Sequence, residues 1–173
     1  MENRLRLNSR QQMENESKLI TVLEKLDISL KTLEDRKILQ KKIYFLEQLG
    51  LKLGYDFGFY IYGPYSSDLT KDAFSYYNRK NIMSESIVSN KLSKRDESSF
   101  KQLNKLLEGV DEQSVANELE LLSSIHFLKN ISYIQINDVK KMQEEIKKRK
   151  PGRFSNKRIE VAWNKLKRYK LIS

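Results

Sequence analysis

Apolar residues recur at helical spacing through most of this 173-residue chain, and the pattern changes once, at Tyr55–Tyr62. There Phe57, Phe59 and Ile61 fall on one face of a strand, and Tyr60 and Tyr62 on the other. A chain patterned this way predicts a mainly α fold with one small β-element. The apolar share is 39% and the charged share 32%, which fits helices with broad exposed faces rather than disorder, because the apolar positions are periodic. Cysteine is absent, so disulfides and thiolate chemistry are excluded. No stretch approaches the roughly 18–20 apolar residues of a membrane span. No apolar run follows the early arginines, so no secretory signal is expected, and a cytoplasmic location is.

Residues 1–17 are polar with no apolar stripe and are expected to form a flexible lead-in. Residues 18–83 follow as a first half. Leu19, Ile20, Val22, Leu23 and Leu26 predict a short helix over Lys18–Leu26. A stronger helix is expected from Glu34 to Leu49, where Ile38, Leu39, Ile43, Phe45, Leu46 and Leu49 project within about 160° of arc. Gly50 and Gly54 supply stop signals, and Gly63-Pro64 is expected to end the strand. Ser66 or Ser67 then caps a helix to about Arg79 that buries Leu69, Ala73, Tyr76 and Tyr77. Residues 84–99 read as a linker or wing, with a short strand at Ile87–Val88 as an option. Residues 100–173 form a helical half that belongs with the first in one compact unit. Its helices are expected over Ser98–Leu107, from Asp111 or Ser114 to Lys129, from Asn137 to the Pro151-Gly152 turn, and from Ser155 onward.

The positive charge is segregated. Residues 139–173 carry thirteen Lys or Arg against three Glu, while basic and acidic residues cancel over the rest. This end reads as a basic helix-turn-helix, a surface suited to a polyanion. On the last helix Lys157, Asn164 and Arg168 fall about 140–180° from Ile159, and Lys165 near 240°, away from Trp163 and Leu166. Lys148, Arg149, Lys150 and Arg153 flank the turn. These eight are the candidate nucleic-acid contacts, since Lys and Arg bind phosphates and Arg and Asn also read base edges. A homodimer would align two such helices. Lys41 and Lys42 are further candidates for reaching phosphates. The competing reading is a solvated charged face.

Two segments together carry a resemblance: Leu39-Gln40-Lys41-Lys42-Ile43-Tyr44-Phe45-Leu46, and Tyr60-Ile61-Tyr62-Gly63-Pro64-Tyr65-Ser66-Ser67-Asp68-Leu69. In this order they resemble the uncharacterised YwgA-like proteins of bacteria and archaea. More distantly they are similar to the Panacea, or SocA-like, antitoxin domain, whose pattern usually has Val where this chain has Tyr65. Leu121–Leu128, Lys150-Pro151, Phe154-Ser155 and Ala162–Leu166 extend the first likeness. The resemblance implies a helical fold with a winged-helix-like first half. The Panacea likeness also implies an antitoxin-like protein-interaction module, with Tyr60, Tyr62 and Tyr65 on the partner surface.

The Gly63-Pro64-Tyr65-Ser66 turn reads first as structural, with anion binding at the following helix start as the rival. The tyrosine-rich stretch from Tyr44 to Tyr77 reads as half-buried core or as a partner interface. His126 is the only histidine and lies on an apolar helix face, as a core histidine does. No metal-ligand spacing, phosphate-binding glycine motif or acid/base pair stands out, so neither an enzyme nor a cofactor is expected. Protein binding and non-catalytic DNA binding, as a transcription regulator, remain the two function classes.

Overall fold

The fold is built around two buried helices, α2 and α5. The computed structural model describes residues 9–82 and 91–173. In chain order its elements are α1 (Ser9–Leu26), α2 (Leu33–Gln48), β1 (Gly58–Tyr60), β2 (Gly63–Tyr65), α3 (Ser67–Ile82), α4 (Lys94–Leu106), α5 (Val115–Asn130), α6 (Val139–Arg149) and α7 (Asn156–Arg168). A single 3-10 turn at Glu112–Ser114 leads into α5. The fold is thus mainly helical, with seven helices and a two-stranded sheet among the described residues.

Helix α5 is buried on every side: Leu119 to Leu128 are buried without interruption, Glu120, Ser123, Ser124 and His126 among them. A helix of that kind must be covered on every side. Helices α2, α7 and α6 and strand β2 of the hairpin all pack against it. Leu39, Ile43, Phe45 and Leu46 of α2 meet Leu119, Leu122 and Ile125 in one apolar core. That core also takes in Leu23 of α1, Leu103 of α4, Met142 and Ile146 of α6, and Ile159, Trp163 and Leu166 of α7. Both halves of the chain share it.

Local chemistry explains most boundaries. Thr32 and Asp35 form a reciprocal capping box at α2, and Ser93 and Asp96 another at α4. Ser155 caps α7 as expected, its oxygen accepting from the Arg158 N–H. Asp138, one residue past the expected Asn137, caps α6.

Three expectations are corrected. Helix α1 spans Ser9–Leu26 among the described residues, so Ser9–Ser17 belong to it and not to a flexible lead-in. Glu16, in the polar stretch, pairs with Arg79 of α3 at 2.7 Å. Residues 94–99 belong to α4 and not to a linker. The proposed strand at Ile87–Val88 lies outside the described residues. Finally, Gly63-Pro64 does not end the β-element but starts its second strand. Gly58 pairs with Tyr65, Phe59 with Pro64 and Tyr60 with Gly63. Ile61 and Tyr62 therefore form the exposed turn, so Ile61 does not share the inward side of Phe57 and Phe59.

Candidate functional site

The hairpin is held against α5 by a close backbone approach. Gly63 has φ +89°, and a Cβ added there would stand 2.6 Å from Ser124 Oγ. Only glycine accepts both conditions without strain. Gln40 of α2 fixes the next residue. Its carbonyl accepts from the Ser66 N–H at 2.9 Å, and its amide donates to Ser66 O at 2.9 Å and Thr70 Oγ1 at 2.8 Å. Ser66 Oγ accepts from the Leu69 N–H at 3.4 Å. The Gly63–Ser66 turn is thus a structural joint whose Ser66 N–H is already taken.

Beneath the hairpin lies a charge cluster centred on Glu120, which is fully buried. Its carboxylate accepts from Lys150 at 2.9 Å and from Arg153 at 2.8 and 2.9 Å, and Lys37 of α2 stands 3.8 Å away. Lys150 also donates to the Ile61 carbonyl at the hairpin turn. Lys41 is 2% exposed and donates to Pro64 O at 2.6 Å. Aromatic rings complete the layer. The Lys37 ammonium sits 4.7 Å from the Tyr62 ring centroid, and Arg149 lies 5.3 Å from that of Phe59.

Burial alone would raise the Glu120 pKa, but the bonds from Arg153 and Lys150 outweigh it and hold the carboxyl below its usual range. Burial pushes Lys150 down against the pull of Glu120. Burial also takes Lys41 down to about 7, with Glu120 opposing and Lys150 and Lys37 adding to the shift.

The eight candidate nucleic-acid contacts separate on this geometry. Lys148, Arg149, Lys157, Asn164 and Arg168 are exposed. Lys150 is corrected: it is buried under the hairpin and spent on Glu120 and Ile61. Arg153 is half-committed, bonding Glu120 and Asn117. Lys165 is turned to Glu118 at 3.4 Å beside Arg158 at 2.9 Å. Lys41 is corrected too, since its ammonium faces a carbonyl inside the protein and not solvent.

On α6 and α7, Lys140, Lys141, Lys147, Lys148, Lys157, Lys167 and Arg168 are exposed and have no carboxylate partner among the described residues. On α7 they share the outer surface with Asn164 and the 59% exposed Val161.

The tyrosines split as well. Tyr44 and Tyr76 are core, while Tyr60 and Tyr62 are exposed and Tyr65 is half-buried with its ring 5.2 Å from that of Tyr60. His126 is a satisfied core residue. Its Nδ1 lies 2.7 Å from the Tyr44 hydroxyl and its Nε2 3.1 Å from the Asn130 amide. Burial lowers its pKa to about 4, so the ring is neutral near pH 7.

Among the described residues, no group of three or more His, Asp or Glu side chains stands ready to hold a metal ion, and no helix is long and apolar enough to cross a membrane. No family model, curated protein or solved structure matches this chain.

Proposed function

We propose that this protein is a non-catalytic nucleic-acid-binding protein, a DNA-binding regulator that holds duplex phosphates on the outer face of α6 and α7. The observation that carries the reading is the set of exposed cations on those helices that face no carboxylate among the described residues. Such a surface attracts a polyanion and releases its counterions on contact. On this reading α6, the Pro151-Gly152 turn and α7 act as a helix-turn-helix. Helix α7 would enter the major groove, with Asn164 and Arg168 towards base edges and Lys148 and Lys157 on phosphates. Residues 18–83 would be the winged-helix-like half that supports it. Changing Lys148, Lys157 and Arg168 together to Ala should weaken binding to a labelled duplex at every sequence tried, in a gel-shift assay at low salt. Unchanged retention of the duplex would remove that face from the interface.

A second reading, an antitoxin-like module that covers a partner protein, is favoured by one observation. Tyr60, Ile61 and Tyr62 are exposed together at the hairpin turn, with Ile61 80% exposed. An apolar cluster of this kind on a monomer commonly marks an interaction surface. A co-purifying partner lost on Tyr60→Ala with Tyr62→Ala, but kept in the basic triple variant, is the result this second reading requires.

A further inference from the structure

Beside the hairpin, between it and helices α2 and α3, lies a cavity of about 400 Å³. That volume falls within the roughly 300–1,000 Å³ of small-molecule sites. Its walls are apolar and partly open to water: Leu33 is 51% exposed, Tyr60 58%, Ile61 80% and Phe74 38%. Leu39 and Ala73 line it where the core begins. Polar groups join them in the buried part, where Gln40 and Lys41 are at most 4% exposed and Thr70 stands beside Gln40.

The charges of the lining are all of one sign. Arg36, Lys37 and Lys41 contribute to it, and neither Asp nor Glu does. Arg36 spends its guanidinium on the carbonyls of Leu30 and Lys31, at 2.9 and 3.3 Å. Lys37 stands 3.8 Å from Glu120, whose carboxylate already accepts from Lys150 and Arg153. One buried carboxylate therefore serves three cations, and Lys41 has no carboxylate within ion-pair distance among the described residues. Lys41 has three N–H donors and one acceptor among the described residues, Pro64 O. A buried ammonium in that state gains most from an added anion.

We propose that this cavity is a binding site for a single-headed amphipathic carboxylate. The carboxylate pairs with Lys41 in the buried part, and an aliphatic body runs outward along Leu33, Ile61 and Phe74. The ligand brings the missing negative charge and covers apolar surface that is otherwise in contact with water. The proposal does not rest on nucleic-acid binding, because α6 and α7 contribute nothing to the lining.

Isothermal titration calorimetry of the full chain at pH 6.5 tests it, with octanoate, octanol, octylammonium and acetate as probes. Octanoate should bind at least tenfold more tightly than octanol, and octylammonium and acetate should give no measurable binding. Lys41→Met should bring the octanoate-to-octanol ratio close to one while octanol binding persists. Should that variant fail to fold, Phe74→Asp at the exposed wall should abolish octanoate binding. The proposal is overturned if wild-type protein binds octanol as tightly as octanoate, or if Phe74→Asp leaves octanoate affinity unchanged. Absence of binding by all four probes overturns it too and leaves the aromatic rim to a protein partner.

Discussion

The hairpin side of the molecule and the outer face of α6 and α7 are both rich in lysine and arginine, and the two sets of cations meet opposite fates. Under the hairpin, Lys37, Lys150 and Arg153 converge on Glu120 and are removed from water wholly or in part. On α6 and α7, Lys148, Lys157 and Arg168 stand in solvent with no acid opposite among the described residues. The residue types are alike, and what differs is whether α5 presents a carboxylate across the gap. A basic residue near a carboxylate of a buried helix becomes architecture, while one on an uncovered face stays available to a polyanion.

The sharpest way to break this comparison is to remove the carboxylate. Glu120→Gln leaves cations buried with no counter-charge and should destabilise the fold by about 3–5 kcal/mol. Glu118→Gln is the control. Its partners Arg158 and Lys165 are partly solvated, so the loss should stay within about 1 kcal/mol. Equal losses in urea melts of the two variants would mean that the Glu120 cluster is no anchor.

His126 gives the next largest effect. Its folded pKa, about 4, lies below the ordinary 6.5, so between those values the unfolded chain binds more protons. Stability should fall as pH drops from about 6.5 to about 4, by up to about 3 kcal/mol over the window. His126→Gln should flatten that part of the profile relative to wild type, read from urea midpoints at several pH values. A slope that survives the substitution would assign it to the carboxylates.

Gly63→Ala follows. A Cβ at φ +89° against Ser124 should cost about 2 kcal/mol and lift the hairpin off α5. Tyr60 and Tyr62 would move with it. The companion change Ser124→Ala removes the colliding oxygen and should recover part of the loss, whereas no recovery would locate the strain in the backbone angle alone.

Much of this architecture is legible in the chain. The apolar faces of α2 and α3 and the cap at Ser155 are local signals, and local signals survive into the structure. The polar start of α1 is not legible, because no apolar periodicity marks it and the partner of Glu16, Arg79, is distant along the chain. The Ser93–Asp96 capping box is a readable sign of the α4 start, hidden by the polarity of the residues around it. Lys150 and Lys41 look like free cations in the sequence because their partners, the Glu120 carboxylate and the Ile61 and Pro64 carbonyls, are distant along the chain. One clue is present. Glu120 is flanked by Leu119, Leu121 and Leu122, and a carboxylate buried among leucines has to be paired.

The smallest effect on stability and the largest on function should come from the same change. Replacing Lys148, Lys157 and Arg168 by Ala should shift stability by no more than about 0.5 kcal/mol. The measurement that tests the division of the cations most directly is fluorescence anisotropy of a labelled duplex across a salt series, for wild type and this triple variant. The wild-type log–log slope should be roughly −3 to −6, and the variant's should be shallower by about 2–3 units, one for each phosphate that is no longer neutralised. Identical slopes, or no wild-type binding at low salt, would contradict the account and leave the outer face of α6 and α7 as a solvated surface.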